Sequence, residues 1–318
     1  ELLKSLTSSL ELLNINGCSI DDDGAVILAT ALSKNLTLQL KKLHLSNNGD
    51  ITAKGWSSIF TQLLNRPQSS LENLDLSENS IDDSAANLLG NSLTNNSYVK
   101  TLSLSQIRSI TTEGWISIFN ALQSSRCMLR RLLLNDNNIR DEDVTYLASS
   151  LANNGILYDL NLSSNENVTL TGWRAFSAVL RNPNSALEKI DLSWNNFNDD
   201  MMALFANSLA HNRMLKELFI EGDWYEEDIT ITNWDALSNA LCNKSSINAT
   251  FNSNHTLDFV VDPDSDYADE SQLPADLQTL LQLNRENYPT EAARLKILKV
   301  HFSGNFNMQP FIDMDLKA

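Results

Sequence analysis

The sequence has few cysteines and no long apolar run. Its 318 residues include 3 cysteines, Cys18, Cys127 and Cys242, which lie far apart along the chain. Because they form no clustered disulfide framework, they indicate a reducing compartment. No stretch of about 18 apolar residues occurs, so no membrane span is predicted. We therefore expect an intracellular, cytoplasmic protein.

Positive charge is also scarce. The chain has 23 Lys and Arg residues against 40 Asp and Glu residues, which gives a formal net charge of −17. Such a charge argues against a nucleic-acid backbone or an anionic membrane as the main ligand. We expect a protein partner with a basic or mixed-charge surface.

The chain does contain one motif, L-x-x-L-x-L-x-x-N, in eight copies. The clearest copy is Leu71–Asn79, and the others begin at Leu10, Leu40, Val99, Leu129, Leu157, Leu187 and Leu215. The alternating leucines are typical of a strand, and the closing Asn predicts a turn. A fixed motif that recurs about every thirty residues is typical of a leucine-rich repeat solenoid. Each unit of such an array buries its apolar face against its neighbours.

Two kinds of helix start alternate after the predicted strands. One kind reads Ile/Val-Thr-x-x-Gly-Trp and begins at Ile51, Ile110, Val168 and Ile229, where Asn233 replaces Gly in the last copy. The other has an acidic start and follows Ile20, Ile81, Ile139 and Phe197. Thr or Asp at these places fits a helix N-cap, and Ile51 with Trp56 fits a hydrophobic staple. Since the aromatic residues recur at fixed positions, we expect them in the core.

These features resemble the ribonuclease-inhibitor-like subfamily of leucine-rich repeat proteins, which alternates two long repeat types and has a helix in each repeat. The resemblance covers about residues 1–246. It implies an α/β fold, a curved horseshoe with parallel inner strands, outer helices and a C-terminal helical cap. The Gly-Trp repeats and the S-N-H-T-L stretch from Ser253 are also similar to the large microalgal set of such proteins.

The repeat pattern weakens at both ends of the chain. The first ten residues match the end of a repeat, so we expect the chain to begin within one. We assign 1–246 to a solenoid of about eight repeats, and 247–318 to a degenerate last repeat, an acidic loop and a helical cap. Ile247–Leu257 is predicted to be a last strand. Pro274–Leu283 and Thr290–Phe302 are predicted to be two helices, the second capped by Thr290.

No metal site, cofactor or catalytic motif is predicted. Asp262, Asp264 and Asp266 resemble the opening of an EF-hand loop. However, Tyr267 stands where that loop needs Gly, and Leu273 stands where it needs Glu. The four histidines lack ligand spacing, and no P-loop, G-x-S-x-G or H-E-x-x-H occurs. We therefore expect no enzymatic activity.

The inner face of the strands is the predicted binding surface, and two residues depart from its small, polar pattern. Trp194 stands at the eighth motif position, and Phe219 replaces Asp or Asn at the fifth. Aromatic side chains beside carboxylates fit an interaction hot spot. The predicted partner-binding residues are Trp194, Phe219, Glu217, Glu221, Trp224, Tyr225, Asp191, Asp159, Arg131 and Leu133. The alternative is that the aromatic residues stack together or are covered by the C-terminal tail.

Three functions remain open at this point. The first is a non-enzymatic module that binds a protein partner on its concave face. The second is a GTPase regulator, since a Ran-GTPase-activating family resembles this chain in its repeats and acidity, although none of its functional residues can be placed here. The third is a sensor or assembly subunit of a larger complex. A single-turnover GTPase assay tests the second, and the full open reading frame tests the third.

Overall fold

The strands form one parallel sheet in which neighbours in sequence are neighbours in space. The structure, a computed structural model, describes residues 10–35, 39–66, 69–222, 234–263 and 270–302. Within these ranges the sheet contains eight strands in sequence order. They are Leu12–Asn14 (β1), Lys42–His44 (β2), Asn73–Asp75 (β3), Thr101–Ser103 (β4), Arg131–Leu133 (β5), Asp159–Asn161 (β6), Lys189–Asp191 (β7) and Glu217–Phe219 (β8). Every strand occupies motif positions three to five, and pairing is in register, as for Leu43 with Leu74. The predicted curved α/β repeat fold is confirmed.

A helix follows each strand and packs against the helices of the adjacent repeats. These helices are Asp22–Lys34 (α1), Ala53–Ile59 (α2), Asp83–Thr94 (α3), Thr112–Ala121 (α4), Asp141–Leu151 (α5), Leu170–Arg181 (α6), Asp199–Leu209 (α7) and Trp234–Leu241 (α8). A π-helical turn, Phe60–Leu64, extends α2. Trp56, Trp115 and Trp173 are fully buried, so the expectation that the repeated aromatic residues form core is confirmed.

In the five repeats whose motif ends with Asn, this residue joins the repeat to the one before it. The amide of Asn79 donates from Nδ2 to the carbonyl oxygens of Leu45 and Leu76, at 2.9 and 2.8 Å. Its Oδ1 accepts from the backbone N–H of Asn48 at 2.8 Å. Asn48, Asn137, Asn165 and Asn195 make equivalent bonds. Because these side chains are buried, they satisfy turn groups that have no access to water.

Hydrogen bonds between repeats explain why the two helix starts alternate. Asp22 of the acidic type accepts the N–H and the hydroxyl of Thr52 in the next repeat, both at 2.8 Å. These bonds, the hydroxyl bond first, hold the pKa of Asp22 below its ordinary value. A Cβ on Gly55 would lie 2.7 Å from Asp22 Oδ1, which favours glycine before Trp56. The same bonds join Asp83 to Thr111 and Asp141 to Thr169. Of the fourth such motif, only Trp234 lies within the described residues.

The C-terminal part differs from the prediction at one place. Ile247–Phe251, predicted as part of a strand, is a short helix (α9), because Ser246 caps it by accepting the N–H of Ala249 at 3.1 Å. The chain adds to the sheet only afterwards, where Phe259 pairs in parallel with Glu217. The two predicted cap helices are present as Ala275–Glu286 (α10) and Pro289–His301 (α11). Tyr288, rather than Thr290, precedes the second as its N-cap. The division after residue 246 stays a prediction.

A buried lysine joins these last helices to the final repeat. Lys296 on α11 is fully buried, and its Nζ donates to the backbone oxygens of Leu241 and Asn254 and to Oδ1 of Asn284, at 2.8, 3.1 and 2.7 Å. It also lies 3.2 Å from Nδ1 of His255. Burial lowers the pKa of Lys296 from 10.5 to about 7. Helix α10 packs against α8, and α11 packs against α9 and α10.

Candidate partner-binding surface

The sheet register brings most of the predicted binding residues into two adjacent rows. Arg131 pairs with Asp159, Asp159 with Lys189, and Lys189 with Glu217, so these four residues form one row across β5 to β8. The second row, at motif position five, contains Leu133, Asn161, Asp191 and Phe219. Side chains at positions three and five of a strand point to the same face. The structure therefore places these predicted residues side by side on one concave strip.

The first row is an alternating series of paired charges. Arg131 Nε donates to Oδ2 of Asp159 at 2.6 Å, and Lys189 Nζ lies 2.9 Å from Oε2 of Glu217. Asp159 is almost fully buried by its partner, whereas Arg131 stays exposed. Exposed ion pairs contribute about 0–1 kcal/mol to folding. The row is therefore a series of oriented, paired charges that adds little to the stability of the fold.

Asp191 is the central carboxylate of the second row. Its Oδ1 accepts the N–H of Ser193 at 2.9 Å, and its Oδ2 accepts Nδ2 of Asn161 at 2.8 Å. Burial raises the pKa of Asp191 above its ordinary value, with a smaller contribution from the nearby negative charge of Asp262. A cation close to this carboxylate would oppose both effects and lower the pKa again.

Phe219 and Glu221 are not solvent-facing, contrary to the sequence prediction. Phe219 is 1% exposed and Glu221 is 5% exposed. The chain after α9 covers them, since Leu218 donates its N–H to Phe259 and the N–H of Asp262 reaches Oε1 of Glu221 at 2.6 Å. In addition, Nζ of Lys189 lies 4.5 Å from the centre of the Phe219 ring. The expected exposure of these two side chains is therefore not found, which agrees with the alternative that following chain covers them, and their part in partner binding stays a prediction.

Trp194 is partly exposed, and its backbone conformation is unusual for an aromatic residue. Its φ is +59°, in the left-handed region, and its N–H donates to the carbonyl of Glu221 at 2.6 Å. The residues at this motif position in repeats one to six also have positive φ, and they are Gly17, Asn47, Glu78, Gln106, Asp136 and Ser164. This conformation costs a bulky residue about 1 kcal/mol relative to glycine. A tryptophan at this position is therefore not explained by backbone geometry.

Two of the predicted binding residues lie outside the part of the chain that the structure describes, and one residue on the strip was not predicted. Trp224 and Tyr225 lie outside the described residues. Lys189 was not predicted as a site residue, although it lies in the first row and contacts Glu217 in that row and Phe219 in the second. Its position-three location on the seventh strand was visible in the motif register. Because lysine is a common residue type and position three is a regular motif position, nothing in the sequence distinguished Lys189 from its neighbours.

The described ranges offer no metal centre or membrane span. They bring together no group of three or more His, Cys, Asp or Glu side chains that could hold a metal ion. Asp264 and Asp266 of the EF-hand-like stretch are outside these ranges. No helix within them has the length and apolar character needed to cross a membrane.

Comparison with known proteins identifies the repeats. Residues 8–29, 39–60 and 126–148 match a family model described as Leucine Rich repeat. The chain is similar to mouse NACHT, LRR and PYD domains-containing protein 5, with 32% identity over 157 residues, 49% of this chain and 13% of that protein. It is 28% identical to mouse NACHT, LRR and PYD domains-containing protein 14 over 192 residues, 60% of this chain and 19% of that protein. Protein CARMIL of Dictyostelium discoideum is 23% identical over 284 residues, 70% of this chain and 26% of that protein.

The chain thus spans between 13% and 26% of the length of these relatives. Among solved structures, the Rad7 and Elc1 complex of yeast is similar at TM-score 0.43 and 17% identity, covering 84% of this chain and 73% of that one. The actin-binding site 2 of leiomodin-1 is similar at TM-score 0.32 and 19% identity, covering 50% and 73%. The chain contains leucine-rich repeats homologous to those of NACHT-type proteins, and such repeats commonly act in protein–protein interaction.

Proposed function

We propose that this chain is a non-enzymatic interaction module that binds a protein partner on the concave face of repeats five to eight. The observation that carries the proposal is Trp194. It is a partly exposed aromatic residue in a left-handed conformation that repeats one to six give to glycine or a polar residue. Backbone geometry disfavours tryptophan there, and partly exposed tryptophan residues are enriched in interaction hot spots, which supports a partner contact at this position.

The charges around Trp194 define the kind of partner. The neighbouring carboxylates Asp159, Asp191 and Glu217 give the strip an acidic character, consistent with the chain's net charge of −17. Lys189 and Arg131 interrupt it at regular intervals. We infer a partner surface of basic or mixed charge that presents an apolar or aromatic contact to Trp194. Complementary charge of this kind increases the association rate and the specificity.

Two further proposals concern the class of repeat protein. The alternation of acidic and Gly-Trp repeats, coupled by the Asp–Thr hydrogen bonds, supports a ribonuclease-inhibitor-like subtype. The relatives named for NACHT and PYD domains are much longer than the matched region. This supports the alternative that the array serves as the partner-recognising part of a larger sensor or assembly. The complete reading frame tests that alternative, since a nucleotide-binding domain in the same polypeptide would support it and a bare repeat array would contradict it.

Site-specific photocrosslinking in native extract tests the proposed surface. The photoreactive residue p-benzoylphenylalanine replaces Trp194 in one variant and Gln106 in the control, which occupies the same motif position with φ +58°. We expect a discrete protein adduct from position 194 and none from position 106. Absence of an adduct at 194, or the same adducts at both positions, would contradict the proposal.

A further inference from the structure

A second site lies away from the concave face, where the last repeat meets the C-terminal helices. Here a cleft of about 610 Å³ opens between the starts of the last strands and the α10–α11 connection. Its lining includes Asp258, Lys216, Arg285 and Tyr288. Tyr288 is 85% exposed, the highest exposure of any large apolar or aromatic side chain among the described residues. This cleft was not predicted from the sequence.

The second motif position, just before each strand, carries a series of paired charges along this edge of the sheet. Glu11 pairs with Lys41 at 2.7 Å, Glu72 with Lys100 at 2.7 Å, and Glu188 with Lys216 at 2.8 Å. In each pair an acidic residue of an odd-numbered repeat meets a lysine of the following repeat. The partner of each carboxylate therefore comes from the next strand along the solenoid.

Asp258 is the next acidic member of this series. Its N–H and that of Phe259 both donate to the carbonyl of Lys216, at 2.7 and 3.1 Å. Lys216 and Glu217 make the same pair of bonds to Glu188. Asp258 therefore occupies the motif position of Glu72 and Glu188. The lysine that would pair with it belongs to a following repeat, and the chain turns into the α10 and α11 helices instead.

The cationic side chains near Asp258 already form hydrogen bonds or ion pairs with other groups. Lys216 is bound to Glu188. Arg285 donates to both carboxylate oxygens of Glu270 at 3.0 Å and to the backbone carbonyl of Asp258 at 2.9 Å. Arg213 donates to the backbone carbonyls of Ala210, Asn212 and Asn252. Within the described ranges, no donor lies within hydrogen-bond distance of the Asp258 carboxylate.

We propose that this cleft binds an arginine or lysine side chain of a partner protein, with the Asp258 carboxylate as its acceptor and Tyr288 as an apolar wall. The incoming cation takes the place that a lysine takes in the earlier pairs. This site is separate from the concave strip and does not depend on the function proposed for it. Burial raises the pKa of Asp258 to about 6, although Arg285 and Lys216 oppose the rise. A bound cation would lower that pKa again.

Amide NMR with a matched pair of peptides tests this site. Acetyl-Gly-Arg-Gly-amide is titrated into the whole chain, and the same peptide with citrulline serves as the uncharged, nearly isosteric control. We expect the arginine peptide to shift the signals of Asp258 and Tyr288 saturably, at least tenfold more strongly than the citrulline peptide. Equal shifts from the two peptides, or shifts that exclude both residues, would overturn the proposal.

Three variants locate the acceptor. Asp258→Asn should abolish the arginine-specific shifts, whereas Glu72→Gln, at the same motif position but paired with Lys100, should leave them unchanged. Lys216→Met releases Glu188 from its ion pair and should tighten the arginine peptide severalfold. Retained binding in Asp258→Asn, or weaker binding in a folded Lys216→Met variant, would show that Asp258 is not the acceptor.

Discussion

Replacement of Lys296 by methionine tests how the C-terminal helices are held to the solenoid. Methionine keeps a similar length and apolar stem but removes the donor to three buried oxygens, those of Leu241, Asn254 and the Asn284 side chain. A buried acceptor left unsatisfied costs about 1–3 kcal/mol. We therefore expect Lys296→Met to lower the free energy of unfolding by about 3–5 kcal/mol at pH 9, where the amine of the folded chain is mostly neutral and still donates hydrogen bonds.

The pH dependence of this loss is more diagnostic than its size. Because the pKa of Lys296 is lowered from 10.5 to about 7, the unfolded chain binds this proton more tightly than the folded chain does. Its contribution to stability is therefore lowest below pH 7 and rises until pH 10.5. Each pH unit in that window is worth up to about 1.4 kcal/mol. We expect the stability difference between the wild-type chain and Lys296→Met to widen by about 2–3 kcal/mol between pH 6 and pH 9.

Urea unfolding followed by circular dichroism at several pH values measures this difference. Lys299→Met, on the same helix but exposed, is the control and should show no pH-dependent difference. A difference for Lys296→Met that stays constant, or that narrows as the pH rises, would refute the assignment of a buried, titrating ammonium. Contributions of cysteine and tyrosine side chains to the pH dependence are common to both variants, so they cancel when the two variants are compared.

Two further substitutions test the contacts between repeats. Gly114→Ala should lower the free energy of unfolding by about 1–3 kcal/mol, because the added Cβ would lie 2.6 Å from Oδ1 of Asp83. The control is Gly155→Ala, whose Cβ would have no atom within 4 Å, and it should change the free energy of unfolding by less than about 0.5 kcal/mol. Asn79→Ala should lower the free energy of unfolding by about 2–4 kcal/mol, because it leaves buried turn groups without hydrogen bonds. Asn138→Ala, on the surface, should change that free energy little. Equal effects within either pair, measured by urea unfolding, would contradict the contacts described for the buried member.

The motif register was predictable from the sequence because one repeat unit fixes it. Every strand occupies motif positions three to five, as for Asn73–Asp75, and this alone placed Arg131, Asp159 and Asp191 on one face. The alternation of helix starts was also visible. The cause of this alternation was not visible in the sequence. The hydrogen bond from Thr52 to Asp22 joins residues of different repeats, and a linear pattern does not show which side chains are in contact.

The unpredicted features lie where the repeat ends. Phe219 stands at a concave-face position, yet the non-repeating chain around Phe259 and Asp262 covers its strand. Ile247–Phe251 had the apolar content of a strand, but the Ser246 cap makes it a helix. The cleft beside Tyr288 forms between the last repeat and the cap helices, so no periodic signal indicated it.

The affinity of the crosslinked partner for Trp194→Asn tests the proposed binding surface most directly. Asparagine tolerates the left-handed conformation at this position, so the variant removes the aromatic contact without straining the turn. Gln106→Asn makes the same change in the fourth repeat. By isothermal titration we expect Trp194→Asn to weaken binding at least about 30-fold, as for a hot-spot residue worth 2 kcal/mol, and Gln106→Asn to bind within about twofold of wild type. Wild-type affinity for Trp194→Asn would contradict a partner site on this face.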